Sequence, residues 1–153
     1  MRSVLISIQP PHTCNIFSNK KRIEWRTKPM PTGKHYCYET KNGGGAGKVI
    51  GEYRIWRIKR YDNVSMIPKG HIYSGCVPAE YLLSYSKGRP LYAHFIVDAI
   101  KYDKPKALNE FFYACDKPKG TDCSMCIDRR ENKCKAITRP PQSWCFVEKG
   151  GEG

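Results

Sequence analysis

Residues 4–28 read VLISIQPPHTCNIFSNKKRIEWRTK, and this stretch decides the fold. Its first six residues continue a β-branched, apolar run from Ser3 to Gln9, which is the signature of a buried strand. Pro10 and Pro11 stop that strand and can open a helix, because a first-turn residue needs no N–H partner. Cys14, Ile16 and Phe17 would carry the helix toward a core, and Asn19 is an end signal. A second strand follows in which Ile23 and Trp25 point one way while Arg22, Glu24, Arg26 and Lys28 point the other. Such a row of charges is either solvated or faces a polar partner.

Working outward, Pro29, Pro31 and Gly33 mark a loop, and residues 35–41 read as a strand with Tyr36, Tyr38 and Thr40 on one face. Asn42–Gly47 is a glycine-rich turn that lacks the letters of a phosphate loop, since Asn42 and Val49 stand where Gly and Ser/Thr are required. It reads as a hairpin connection. A long strand is expected over Lys48–Tyr61, with Trp25 and Trp56 in the core. Residues 62–76 read as irregular. Val77–Lys87 reads as a short helix with Pro78 and Glu80 in its first turn and a Tyr81, Leu82, Leu83, Tyr85 stripe, ended by Gly88. Leu91–Tyr102 reads as the central strand, with His94 as a satisfied core histidine, and Gln142–Lys149 as the last one. About six strands, two helices and no βαβ alternation argue against a doubly wound sheet. The expected class is α+β, a small, mixed, mostly antiparallel barrel. One domain is expected over 1–149, with a Cys-rich insertion at 111–137 and a disordered tail at 150–153.

Lys plus Arg number 27 and Asp plus Glu 14, a net charge of +13 in 153 residues. Phosphate-bearing partners are the first expectation from that excess. No apolar run reaches the roughly 18 residues of a membrane span, so no membrane partner is expected. The first strand makes a poor secretion signal, so the expected location is cytoplasmic, with reduced or metal-bound cysteines.

Five segments in sequence order carry a resemblance over nearly the whole chain: LISIQP at 5–10, IFSNKKRIEWR at 16–26, YETK at 38–41, GKVIGEY at 47–53 and TRPPQSWCFV at 138–147. Together they resemble the ASCH family, the activating-signal-cointegrator-homology domains related to the PUA barrel. The similarity is greatest to small stand-alone versions from phage and bacterial genomes. The resemblance implies a β-barrel with a cleft at the junction of the first helix and second strand, a nucleic-acid-associated role, and a bacterial or phage-infected cell as the setting. It also implies a choice, because some members are described as N4-acetylcytidine amidohydrolases and some as ribonucleases. The amidohydrolase members carry a Lys-x-x-Thr core plus a downstream acid. Here Lys21 matches the lysine, but Glu24 holds the threonine position.

Two readings of those residues stay open, beside a third in which the chain is an interaction module whose basic face meets an acidic protein. In the binding reading, Lys20, Lys21, Arg22, Arg26 and Lys28 contact the phosphates of RNA or another nucleic acid. Tyr36, Tyr38 and Trp144 would stack bases, and Glu24 would accept from a base amino group. Arg139 and Gln142 would stand at the cleft mouth, held by Pro140 and Pro141. In the catalytic reading, Lys21 and Glu24 hydrolyse a modified nucleoside or RNA, with Glu24 as base for water. The bland alternatives are core positions for the aromatics and, for Lys21–Glu24, a surface ion pair worth under about 1 kcal/mol.

The second chemical signal is Cys115-x7-Cys123-x2-Cys126-x7-Cys134. A CxxC turn can supply two thiolates and the outer cysteines two more, which suits a structural Zn²⁺. The charged residues between them offer no core of their own, so a metal would be a reason to fold. Disulfides, a redox CxxC, an iron–sulfur cluster and a disordered reduced loop are the competing readings. Cys14, Cys37, Cys76 and Cys145 read as buried thiols.

Overall fold

The computed structural model describes residues 2–114, the short strands 126–128 and 133–134, and residues 135–148. Strand β1 (Ser3–Ile8) leads through the one-and-a-half-turn helix α1 (His12–Phe17) to β2 (Ile23–Arg26). Then β3 (Gly33–Glu39) and β4 (Lys48–Tyr61) form a hairpin around the glycine-rich turn. Helices α2 (Lys69–Ser74) and α3 (Ala79–Ser86) precede the long strand β5 (Leu91–Lys106). Beyond it, β6 (Cys126–Asp128) pairs with β7 (Lys133–Cys134), and β8 (Trp144–Val147) closes the chain.

Six strands form one sheet in the order β2-β5-β4-β3-β1-β8. Only β1 and β3 run parallel, as the α1–β2 crossover between them requires. The mixed, mostly antiparallel sheet is therefore as expected, but it is not a closed barrel: β2 and β8 are its two edges. Three register shifts in the β4–β5 ladder coil the sheet. The two edges carry no ladder between them among the described residues, and Arg26 Nη1 of β2 donates to Ser143 Oγ, just before β8, at 3.0 Å. Helix α1 packs on the inner face, where Ile16 joins Val4, Ile6, Ile8, Tyr53 and Ile55 in the core. Gly51 permits this packing, since a Cβ there would stand 2.6 Å from the Phe17 ring.

Several expectations need correction. The region 62–76 is not irregular but holds a 3-10 turn, Val64–Met66, and α2, so the described residues contain three α-helices. The strand β5 is one in from the β2 edge, and β4 is more central. Trp25 is in the core, packed near Tyr61, but Trp56 is 59% exposed on the outer side of β4. Tyr36 and Tyr38 are buried with Leu5, Val49, Phe111 and Ile137. Segments on either side of the cysteine-rich stretch, at Phe111 and Ile137, pack on that face of β3, so neither tyrosine lines the pocket of Lys21 and Glu24, although Tyr38 borders a neighbouring concavity. Cys37 is buried, and burial pushes its thiol well up, but Cys14 is exposed and Cys76 and Cys145 are half-buried. No helix among the described residues is long and apolar enough to cross a membrane.

Candidate functional site

The site is built where α1 hands over to β2. Asn19 adopts a left-handed φ of 62°, which turns the chain sharply after the helix. The Asn15 carbonyl then accepts from the backbone N–H groups of both Lys20 (3.0 Å) and Lys21 (2.8 Å). This fixes the direction of Lys21, whose side chain turns inward and is 3% exposed. On β2 the alternation does the rest, placing Glu24 and Arg26 on the same face two residues apart. The backbone at Glu24 is clamped from the neighbouring strand. His94 Nε2 accepts from Met30 N–H at 2.9 Å, so the ring proton sits on Nδ1 and donates to the Glu24 carbonyl at 3.1 Å. Burial lowers the His94 pKa, consistent with a neutral ring.

The result is a cation–anion–cation row, buried at Lys21 and Glu24 and half-buried at Arg26. Lys21 Nζ donates to the Gly75 carbonyl at 2.6 Å and lies 3.6 Å from Glu24 Oε2. Arg26 Nε donates to Glu24 Oε1 at 3.0 Å. Burial alone would raise the Glu24 pKa, but the charges of Lys21 and Arg26, with the Arg26 hydrogen bond, outweigh it and hold the carboxyl below its ordinary value. Glu24 is therefore an ionised carboxylate. His12, at the start of α1, is held neutral by burial and by Lys21. Its Nδ1 is shielded from solvent and has no hydrogen-bond partner among the described residues.

These groups line a concavity of about 320 Å³, at the small end of the roughly 300–1,000 Å³ typical of ligand pockets. Trp25, Val77, Tyr81 and Tyr85 form its aromatic and apolar wall, and Gln9, Asn42 and Gln142 supply amides. Tyr81 and Tyr85 stand one helical turn apart on α3 with rings stacked at 6.0 Å and 9°. Gly75 seats the wall against the indole, since a Cβ there would lie 2.1 Å from Trp25 Nε1.

Of the residues expected at the site, the structure gathers Lys21, Glu24, Arg26 and Gln142. Lys21–Glu24 is a buried pair, not a surface one. Lys20 and Arg22 fall on the other side of the segment, Lys28 is exposed in the loop after β2, and Arg139 is exposed outside the pocket lining. Trp144 packs edge-on to Phe146 and against the core instead of into the pocket. Sequence reasoning missed His12, Tyr81 and Tyr85 as lining groups. The two tyrosines were visible as an i, i+4 pair in the helical stripe, but nothing local distinguished a pocket wall from core. Among the described residues there is no cluster of metal-ligating side chains. Cys115 and Cys123, and the side chains of Cys126 and Cys134, lie outside the described residues.

Comparison of the architecture with solved structures gives strong matches that include three structures of an ASCH protein from Zymomonas mobilis, each at 20% identity. A serine-to-alanine variant aligns over 97% of this chain and 89% of its own, with a TM-score of 0.69. A tyrosine-to-phenylalanine variant aligns over 98% and 93% at 0.68, and the unsubstituted protein over 96% and 88% at 0.66. This chain has the ASCH fold. No family model matches the sequence, and no curated protein matches it. In this ASCH fold, then, the Lys21–Glu24–Arg26 row sits inside the concavity between α1, β2 and α3.

Proposed function

We propose that this ASCH-fold protein binds single-stranded nucleic acid, RNA first, by taking one base into the pocket of Lys21, Glu24 and Arg26. The observation that carries the reading is the ionised Glu24 carboxylate, buried at the base of an aromatic-walled pocket of nucleobase dimensions. A carboxylate accepts from a base's amino or imino groups and cannot pair with an edge made only of acceptors. Lys21 and Arg26 each engage a different Glu24 oxygen, and each oxygen keeps a further lone-pair direction for a ligand. The two cations stabilise the anion and aim it, so their role in the pocket is orientation more than phosphate attraction. The tyrosine wall supplies a π-surface for the base. A net charge of +13 on the chain supplies long-range attraction to the strand.

The hydrolytic alternative is weaker on the same geometry. A general base works best with a pKa near the working pH, whereas Glu24 is held below the ordinary carboxylate range. The hydroxyl of the amidohydrolases' Lys-x-x-Thr core is also absent at Glu24. The test is a paired measurement of affinity and turnover, using random-sequence RNA and acylated cytidine, for wild type and Glu24→Gln. We expect RNA affinity to fall in the variant and neither substrate to turn over in the wild type. Wild-type turnover that falls roughly 10²–10⁴-fold in Glu24→Gln would make the protein a hydrolase.

We also propose a structural Zn²⁺ on Cys115, Cys123, Cys126 and Cys134. The β6–β7 register supports it by placing Cys126 directly opposite Cys134, and four thiolates suit tetrahedral zinc. One zinc per chain by elemental analysis, lost in Cys123→Ser/Cys126→Ser, is the expected result. Protein that carries no metal after chelator-free purification would refute it. Nucleic acid and thiolate-bound zinc both suit the reducing interior of a bacterial or phage-infected cell.

A further inference from the structure

Behind the pocket wall lies a second concavity. Lys20 and Arg22 bracket Lys21 in the chain, yet they line an open groove of about 710 Å³ together with Lys69, Ile72, Tyr73 and Pro78. Val77 lines both cavities, so one residue separates groove from pocket. Lys21 braces that partition through its bond to the Gly75 carbonyl.

The electrostatics of the two sides differ. No carboxylate lines the groove. None of Lys20, Arg22 and Lys69 has an acidic partner among the described residues. Among the described residues the Arg22 side chain makes one hydrogen bond, a long one of 3.4 Å from Nε to the Asn19 carbonyl. Three cations line the groove together with Ile72, Val77 and Pro78. At the rim Tyr73 is 84% exposed, and no ring among the described residues packs on it. Unpaired cations beside an unstacked aromatic form a surface that suits a nucleotide: a phosphate for the charges and a base for the ring.

We propose that the groove holds the nucleotide adjoining the one whose base enters the pocket. Lys20, Arg22 and Lys69 would contact its flanking phosphates, and Tyr73 would stack its base. The inference rests on the pocket being a base site. A strand with one base turned inward must continue past the pocket rim; a concavity that shares Ser7, Thr40, Asn42 and Gln142 with the pocket adjoins it on one side, with Lys41 as its one cation, and the groove across Val77 adjoins it with three. An acidic peptide would answer the cations but leave Tyr73 unused.

The test compares two probes, a random-sequence single-stranded RNA octamer and the four free nucleosides, across wild type, Lys20→Ala/Lys69→Ala and Tyr73→Ala. All three positions are exposed, so the variants should fold. The double variant should flatten the octamer's log K versus log salt slope by about 1.4, or about 0.7 per lost phosphate contact. Tyr73→Ala should weaken octamer binding by about 5- to 150-fold with the slope unchanged. Nucleoside binding should be the same in all three proteins. Bound nucleosides together with octamer affinity and slope untouched by either variant would overturn the groove and leave the pocket standing. Octamer binding that depends on the groove, with no nucleoside bound, would overturn the pocket reading and keep the groove as an RNA surface. A poly-glutamate peptide that displaces the octamer, with Tyr73→Ala silent, would replace the nucleotide by an acidic protein.

Discussion

Lys20 and Lys21 are neighbours in the chain and live in opposite electrostatic worlds. Lys21 is 3% exposed, bonded to a carbonyl and paired with a carboxylate. Lys20 is exposed and has no acidic partner among the described residues. The same contrast divides Arg26, tied to Glu24 and Ser143, from Arg22, whose one side-chain hydrogen bond among the described residues is a long one to the Asn19 carbonyl. Charge on the pocket side is fixed, desolvated and nearly balanced, so it can discriminate between ligands. Charge on the groove side is solvated and unbalanced, so it attracts any phosphate but defines little. A cation's role here depends on its surroundings more than on its type.

The contrast breaks hardest at Glu24. Glu24→Gln leaves Lys21 and Arg26 in a buried site without their counter-charge, and should cost about 3 kcal/mol in chemical denaturation. The same group should show in acid. A carboxyl whose folded pKa is depressed adds stability that is complete above its unfolded value, here 4.5, and is lost as pH falls through the lower folded value. Wild type should therefore lose stability below about pH 4.5 more steeply than Glu24→Gln. Equal slopes would mean that the carboxylate is not ionised by its neighbours as described.

A smaller effect is expected at the partition between the two sides. Gly75→Ala drives a Cβ into the Trp25 indole, whose nearest atom is 2.1 Å away. Trp25 is packed in the core beside Tyr61 and cannot yield freely. The substitution should cost about 1–3 kcal/mol, as overpacking does, and should shift Trp25 fluorescence. An unchanged midpoint would show that the wall is looser than its contacts imply. Least of all is expected from Lys20→Ala, which should move stability by no more than about 0.5 kcal/mol. A loss at Lys20 as large as that at Glu24 would abolish the distinction between the two sides.

Much of the fold was legible because periodicity records burial. The limits of β4 were read to the residue, and β1, α1, β2 and α3 to within a few residues. The mostly antiparallel sheet followed from strand count and the lack of βαβ alternation. Closure was not legible, because a barrel needs a hydrogen-bonded β2–β8 seam and no local pattern encodes a pairing between strands over 100 residues apart. The placement of Trp56 failed for a related reason: bulges in the β4–β5 ladder change which residues face outward, and an alternation count assumes none.

For the site, sequence alone determined that Glu24 and Arg26 share a strand face and that Lys21 stands at their head. Strand geometry has a period of two, and the turn after α1 is short. Tertiary structure decided that this face is buried, because α3 and the α2–α3 link fold over it and bring the Gly75 carbonyl to Lys21. It also decided that Tyr36 and Tyr38 are core, since Phe111 and Ile137, more than 70 residues onward, cover them. A local pattern can say which side chains travel together. Only the packing of distant segments says whether water, protein or a ligand meets them.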